Sequence, residues 1–85
     1  MAAPKPPALA NIETLINEDG QITVGHLNPV GVVAIANDEH NALAMLRRRK
    51  GETLNELLRR LDAAIDLALE EGEYTDEINP PPRSR

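Results

Sequence analysis

The segment Thr53–Glu71, TLNELLRRLDAAIDLALEE, constrains the fold more than any other part of this chain. Thr53 and Glu56 stand three apart, the spacing of a capping box. In that motif the hydroxyl and the carboxylate satisfy backbone N–H groups that a helix start leaves unpaired. Leu54, Leu58, Leu61, Ile65 and Ala68 then recur at alternating steps of four and three, and Leu57, Ala64 and Leu69 widen the stripe. This spacing predicts an amphipathic helix over 53–71 that stops at Gly72. A stripe this wide exceeds a two-stranded coiled-coil seam, so it is expected to form the main core and a dimer surface as well.

The side chains available to meet that stripe are small. In 85 residues the only aromatic is Tyr74, so the core is built from Leu, Ile, Val and Ala. A single domain of this size buries a modest share of its unfolded surface, and a homodimer that shares apolar faces is the expected remedy. The chain has no cysteine, which removes disulfides, thiolate metal sites and cysteine nucleophiles and fits a cytoplasmic setting. The start, MAAPKPPALA, lacks the apolar stretch of a secretory signal. No apolar run approaches the ~20 residues that span a bilayer, so no membrane is expected as partner.

Upstream of the helix the signals favour strands. Asp19-Gly20 is a strong type I′ turn dipeptide, because both central positions need positive φ. With Ile12, Leu15 and Ile16 before it and Ile22 and Val24 after it, a hairpin with strands over 11–17 and 21–27 is expected. Asn28-Pro29 breaks the chain. The β-branched run VGVVAIAN predicts a buried strand over 30–36. Residues 39–50 carry two readings. A cap at Asn37 or Asp38, acids first, bases last and Gly51 beyond the end suit a helix. Alternatively, NDEHN is a turn and ALAMLRRR a strand. The good helix formers Ala, Leu, Met and Arg tip the expectation to helix. Residues 1–9 are expected to be a disordered tail, 10–72 a single α+β domain, and 73–85 an acidic and then proline-rich disordered tail.

Charge is polarised along the chain. Net charge is −5, yet residues 47–60 hold Arg47, Arg48, Arg49, Lys50, Arg59 and Arg60, six of the nine basic residues. Residues 62–77 hold seven acids and no base. The basic group is a candidate contact for a partner or a phosphate. It also has a plainer reading, as helix-end charges that neutralise the acidic run. Glu70, Glu71 and Glu73 are the candidate acidic contact. Chemistry has little to use: the histidines are His26 and His40, and the one serine is Ser84. Asp38, Glu39 and His40 are consecutive and would not converge on a metal by themselves. No enzyme, cofactor or metal is expected.

The stretch LAMLRRRKGETLNELLRRL, residues 43–61, resembles the two-helix part of ribbon-helix-helix repressors and antitoxins. Leu43 and Leu46, Gly51, Thr53, and Leu54, Asn55, Glu56, Leu57, Leu58 and Arg59 occupy the family's places. The resemblance covers about residues 32–66. It implies a ribbon strand with Val33 and Ile35 on its buried side, a dimer, and nucleic acid as partner. The positions that read bases in that family hold Val32, Ala34 and Ala36 here, which carry no donor for a base edge.

These observations favour a small α+β domain: an antiparallel sheet of about three strands followed by one or two helices. The expected function is a non-enzymatic regulatory or protein-interaction protein of bacterial or phage accessory type, with an unidentified protein partner. Alternatives are a dimeric ribbon-helix-helix-like regulator or antitoxin that binds nucleic acid, and an acidic inhibitor that mimics nucleic acid.

Overall fold

A computed structural model describes residues 9–79. Its elements, in chain order, are α1 (Ala10–Asn17), β1 (Gln21–Leu27), β2 (Gly31–Asn37), β3 (Ala42–Arg47), α2 (Leu54–Glu71) and β4 (Thr75–Asp76). The strands form one mixed sheet in the order β1-β2-β3-β4. Both hairpin pairs are antiparallel, and β4 runs parallel to β3. The architecture is α+β, with four strands where about three were expected. Of the tails expected to be disordered, 1–9 and 73–85, residues 1–8 and 80–85 fall outside the described residues, while residues 75–77 of the second are held against β3 as β4 and the residue after it.

Helix α2 follows the sequence reading closely. The Thr53 hydroxyl accepts from the Glu56 N–H at 3.1 Å, and the Glu56 carboxylate accepts from the Thr53 N–H at 2.8 Å. Gly72 closes the helix in the left-handed region, at φ 69. Leu57, Leu61 and Ile65 are fully buried, and Ala64 and Ala68 join them. They pack on Ala34 and Ala36 of β2 and on Leu43, Ala44 and Leu46 of β3. Each fully buried Leu or Ile contributes roughly 1.5–3 kcal/mol. Much of the stripe expected to serve a dimer is therefore buried within the single chain. Leu54 and Leu69 are exceptions, exposed at the two ends of the helix.

Residues 10–17 form a helix, not the first strand of a hairpin. Ile12, Leu15 and Ile16 have helical spacing, and Ile12 and Leu15 enter the core. Asp19-Gly20 does place a residue at positive φ, with Asp19 at 69°. It uses that conformation to stop α1. The Gly20 N–H donates to the Leu15 carbonyl at 2.8 Å and the Asp19 N–H to the Ile16 carbonyl at 3.2 Å. These two bonds are a Schellman motif, which needs the same left-handed backbone as a type I′ turn.

The start of α1 is capped from a distance. Its N-cap, Leu9, offers no side-chain acceptor. Asp62 of α2 supplies one, accepting from the Ile12 N–H at 2.9 Å and from the Asn11 amide at 3.0 Å. Asp62 therefore docks α1 on α2. Replacing Asp62 by Ala is expected to cost about 1–2 kcal/mol, the scale of a lost N-cap. Asp62→Asn, which keeps an acceptor oxygen, should cost less. Urea titrations of the three proteins measure the order.

Residues 42–47 form a strand, so the expected helix over 39–50 gives way to the hairpin reading. Asp38 decides the turn. Its carboxylate accepts from the N–H groups of His40 at 2.8 Å and Asn41 at 2.7 Å, and its own N–H donates to the Asn41 carbonyl. Those backbone bonds hold its carboxyl below the usual range. The residues that could cap a helix instead close a hairpin. β3 then pairs with β2 from Val33↔Arg47 to Asn37↔Ala42, with a bulge at Leu43. Pairing and burial outweigh the helix propensity of the segment, which amounts to tenths of a kcal/mol per residue. The two-helix arrangement implied by the ribbon-helix-helix resemblance is here a strand, a loop and a helix. The strand faces are also exchanged. Ala34 and Ala36 lie in the helix-packed core, with Val32 against it. Val33 and Ile35, one step out of phase, point to the other face, where Val33 is nevertheless buried, at 2% exposure.

Candidate functional site

The basic loop begins where β3 ends. The Arg48 N–H donates to the Val32 carbonyl at 2.9 Å and so extends the hairpin by one rung. The chain then turns. The Glu52 N–H reaches the Arg49 carbonyl at 3.0 Å, and Gly51 sits at φ 80. A positive φ at the third position is what a type II turn needs, which explains the glycine. Thr53 follows and starts α2. Arg47 to Lys50 therefore end a strand and fill a turn; they do not complement a helix C-terminus.

Arg60, nearly two turns into α2, organises the loop. Its Nε donates to Glu52 Oε2 at 2.6 Å and its Nη2 to Glu52 Oε1 at 3.0 Å. That is a two-point fork on one carboxylate. Its Nη1 donates to Glu77 Oε2 at 2.8 Å and its Nη2 to the Arg47 carbonyl at 2.9 Å. Glu77 in turn accepts from the Arg47 N–H at 3.0 Å, and its own N–H donates to the Met45 carbonyl at 2.7 Å. Glu52 accepts from the Arg49 N–H at 2.9 Å, and its carbonyl accepts from Arg48 Nε at 2.8 Å. One guanidinium thus ties α2, the turn, the end of β3 and the segment after β4 together.

The six basic candidates divide. Arg60 is half-buried and committed to Glu52 and Glu77. Arg49 approaches Glu77 at 3.7 Å from a largely exposed position. Among the described residues, Arg47, Arg48, Lys50 and Arg59 have no carboxylate within ion-pair distance. Beside the loop lies an open depression of about 430 Å³, lined by Val32, Arg48, Arg49, Lys50, Gly51, Glu52 and Thr53. Glu70, Glu71 and Glu73 are exposed at the far end of α2. An 18-residue helix places them ~27 Å from the loop. Glu70, Glu71 and Glu73 are therefore separated from the basic loop in space, whereas Glu77, the last acid of the same run, returns to pair with Arg60 and Arg49. Of the apolar candidates, Leu61, Ile65 and Ala68 are buried, Leu58 packs against the core and Leu54 is 49% exposed.

Two residues that organise this site were not candidates. Glu52 carries a weak sequence signal, a carboxylate between the turn glycine and the capping threonine. Glu77 carries none, because it meets Arg47 from 30 residues away. Asp76 shapes the segment that delivers Glu77. It accepts from the Asn79 and Ile78 N–H groups, which lower its carboxyl below the usual range.

The hub predicts an acid response. The Arg60 guanidinium, and then the Arg49 N–H, hold the Glu52 carboxyl at about 2, below its usual 4.5. A depressed folded-state value means that the stabilisation is complete above pH 4.5 and is lost as pH falls toward 2. Denaturant midpoints measured across that window should fall with acidification. In Glu52→Gln the fall should be shallower, retaining the part that belongs to Asp38 and Asp76. Equal slopes in the two proteins would show that the hub does not contribute.

Among the described residues, no three His, Asp or Glu side chains are grouped as metal ligands. No helix among them is long and apolar enough to cross a membrane. Comparison of the chain with known families, curated proteins and solved structures returns no match.

Proposed function

We propose that this chain is a non-enzymatic, cytoplasmic regulatory module that binds an acidic surface on a protein partner through the Arg47–Lys50 loop and Arg59. The supporting observation is the division of labour among the cations. Arg60 is spent on bracing the loop, while Arg47, Arg48, Lys50 and Arg59 remain unpaired among the described residues. A braced loop presents its charges with less ordering entropy to lose on binding, so complementary charge converts into affinity and association rate. The open depression beside Lys50 gives a carboxylate a place to approach.

The same unpaired cations also support a second reading, contact with nucleic-acid phosphates in the manner of a ribbon-helix-helix-like regulator. Its base-reading strand would differ from that family's, since Ala34 and Ala36 are core residues here. A third reading, an acidic mimic acting through Glu70, Glu71 and Glu73, rests on the far end of α2.

Affinity capture with the full chain, with and without nuclease treatment, separates the three. Arg49→Glu with Lys50→Glu is expected to abolish recovery of a nuclease-resistant partner. Glu70→Lys with Glu71→Lys and Glu73→Lys is expected to leave recovery unchanged. Loss of the captured material on nuclease treatment would favour the phosphate reading. Loss only in the Glu70→Lys, Glu71→Lys, Glu73→Lys variant would favour the mimic.

A further inference from the structure

The two edges of the sheet are treated differently. On the β3 side, residues 75–79 close the edge. β4 pairs with Ala44 and Met45, the Glu77 N–H bonds to the Met45 carbonyl, and the Glu77 carboxylate takes the Arg47 N–H in place of a strand carbonyl. On the β1 side nothing among the described residues does this. β1 is seven residues long and pairs with β2 along its whole length. No other backbone bond leaves it. Alternate N–H and C=O groups of such an edge strand point outward without partners. The usual guards are missing as well: Gln21–Leu27 contains no Lys, Arg, Asp, Glu or Pro, and the one bulge lies on the β2–β3 side. Val24 and Leu27 are 39% and 41% exposed on this strand.

We infer that β1 is a self-association edge, at which two copies of the chain pair their β1 strands antiparallel about a twofold axis through Val24. That register sets Val24 opposite its own copy, Ile22 opposite His26, Thr23 opposite Gly25 and Gln21 opposite Leu27. Even-numbered residues meet even-numbered ones, so the helix-side faces of the two sheets are continuous. Charge selects a second copy as the occupant. The chain carries −5 and repels itself over most of its surface, but Gly20–Asn37 holds no acid or base other than His26. Like charges directly opposite one another destabilise strand pairs, and self-pairing here brings none together. Closure limits the assembly to two. Each copy has one open edge, and a twofold contact consumes both, leaving the edges guarded by Glu77 at the ends. The contact is ~24 Å long and about one side chain deep. It belongs to the small class of interfaces, below about 1,200 Å², so dimer and monomer exchange at micromolar concentrations. This inference does not depend on the role given to the basic loop.

Sedimentation equilibrium of the full chain from micromolar to high micromolar concentration tests it. The wild type is expected to pass from monomer to dimer. Val24→Lys and Val24→Asp, each placing like charges on the axis, should weaken association at least about 30-fold, while an equimolar mixture of the two recovers the dimer. Arg49→Glu with Lys50→Glu should leave association unchanged. A monomer throughout, or a dimer indifferent to Val24→Lys, overturns the proposal, as does a mixture that stays monomeric while both variants keep their circular dichroism. Should the variants not fold, NMR of mixed labelled and unlabelled wild type reads the register directly. Inter-copy contacts centred on residue 24 support the axis; their absence, or contacts on α2, overturns it.

Discussion

Leu61→Ala is expected to remove about 2–5 kcal/mol of stability. Leu61 is fully buried at the middle of α2, between Leu57 and Ile65. Truncation loses the transfer free energy of the deleted carbons and leaves a cavity, because neighbours held by a four-stranded sheet collapse only partly. A chain of 85 residues has roughly 4–13 kcal/mol in total. The variant should therefore melt at least about 10 °C lower, with a substantial unfolded population near body temperature. Leu54→Ala is the matched control. Leu54 belongs to the same sequence stripe, yet it is 49% exposed, and its truncation should stay within about 0.5 kcal/mol. Thermal melts of the two variants measure the difference. Similar losses in both would mean that α2 packs by a different face.

Gly20→Ala should be the next most damaging single change, at about 1–3 kcal/mol. A Cβ at position 20 would lie 2.5 Å from Leu15 Cγ and 2.8 Å from the Leu15 carbonyl oxygen. The first contact could be relieved by a rotamer change, at the expense of a core side chain. The second cannot, because that oxygen accepts the Gly20 N–H and closes α1. The methyl group thus presses on the bond that ends the helix. Gly51→Ala provides the contrast. It has open space around the added Cβ and suffers only the backbone strain of φ 80. Urea midpoints should place Gly20→Ala below Gly51→Ala. The reverse order would mean that the α1 stop is not a tight packing point.

Local grammar made α2 legible. The capping box, the stripe and Gly72 all act within a few residues, and each has one dominant structural use. The same grammar was ambiguous at Asp19-Gly20 and at Asn37–Asn41. A left-handed residue can turn a hairpin or stop a helix, and an Asp can cap a helix or close a turn. Periodicity held the better clue for α1, since Ile12, Leu15 and Ile16 are spaced as a helix face. For residues 42–47 no local clue sufficed, since Ala, Leu, Met and Arg favour helix in isolation and become a strand by pairing with β2.

The candidate site divides in the same way. The cations are visible as a cluster in the chain, but which of them is free is not. Arg59 and Arg60 are adjacent and chemically identical, and one is exposed while the other is held by Glu52 and Glu77. The sequence by itself determined the length and amphipathy of α2, the small-residue core and the polarity of charge along the chain, because these depend on composition and on interactions within about one helical turn. Only the tertiary structure decided that α1 is capped by Asp62, that β3 is a strand, that Glu77 closes one sheet edge while β1 stays open among the described residues, and which arginines have a carboxylate partner. Those outcomes depend on groups brought together from across the chain, where the free energy of pairing and burial exceeds the tenths of a kcal/mol that local preference supplies.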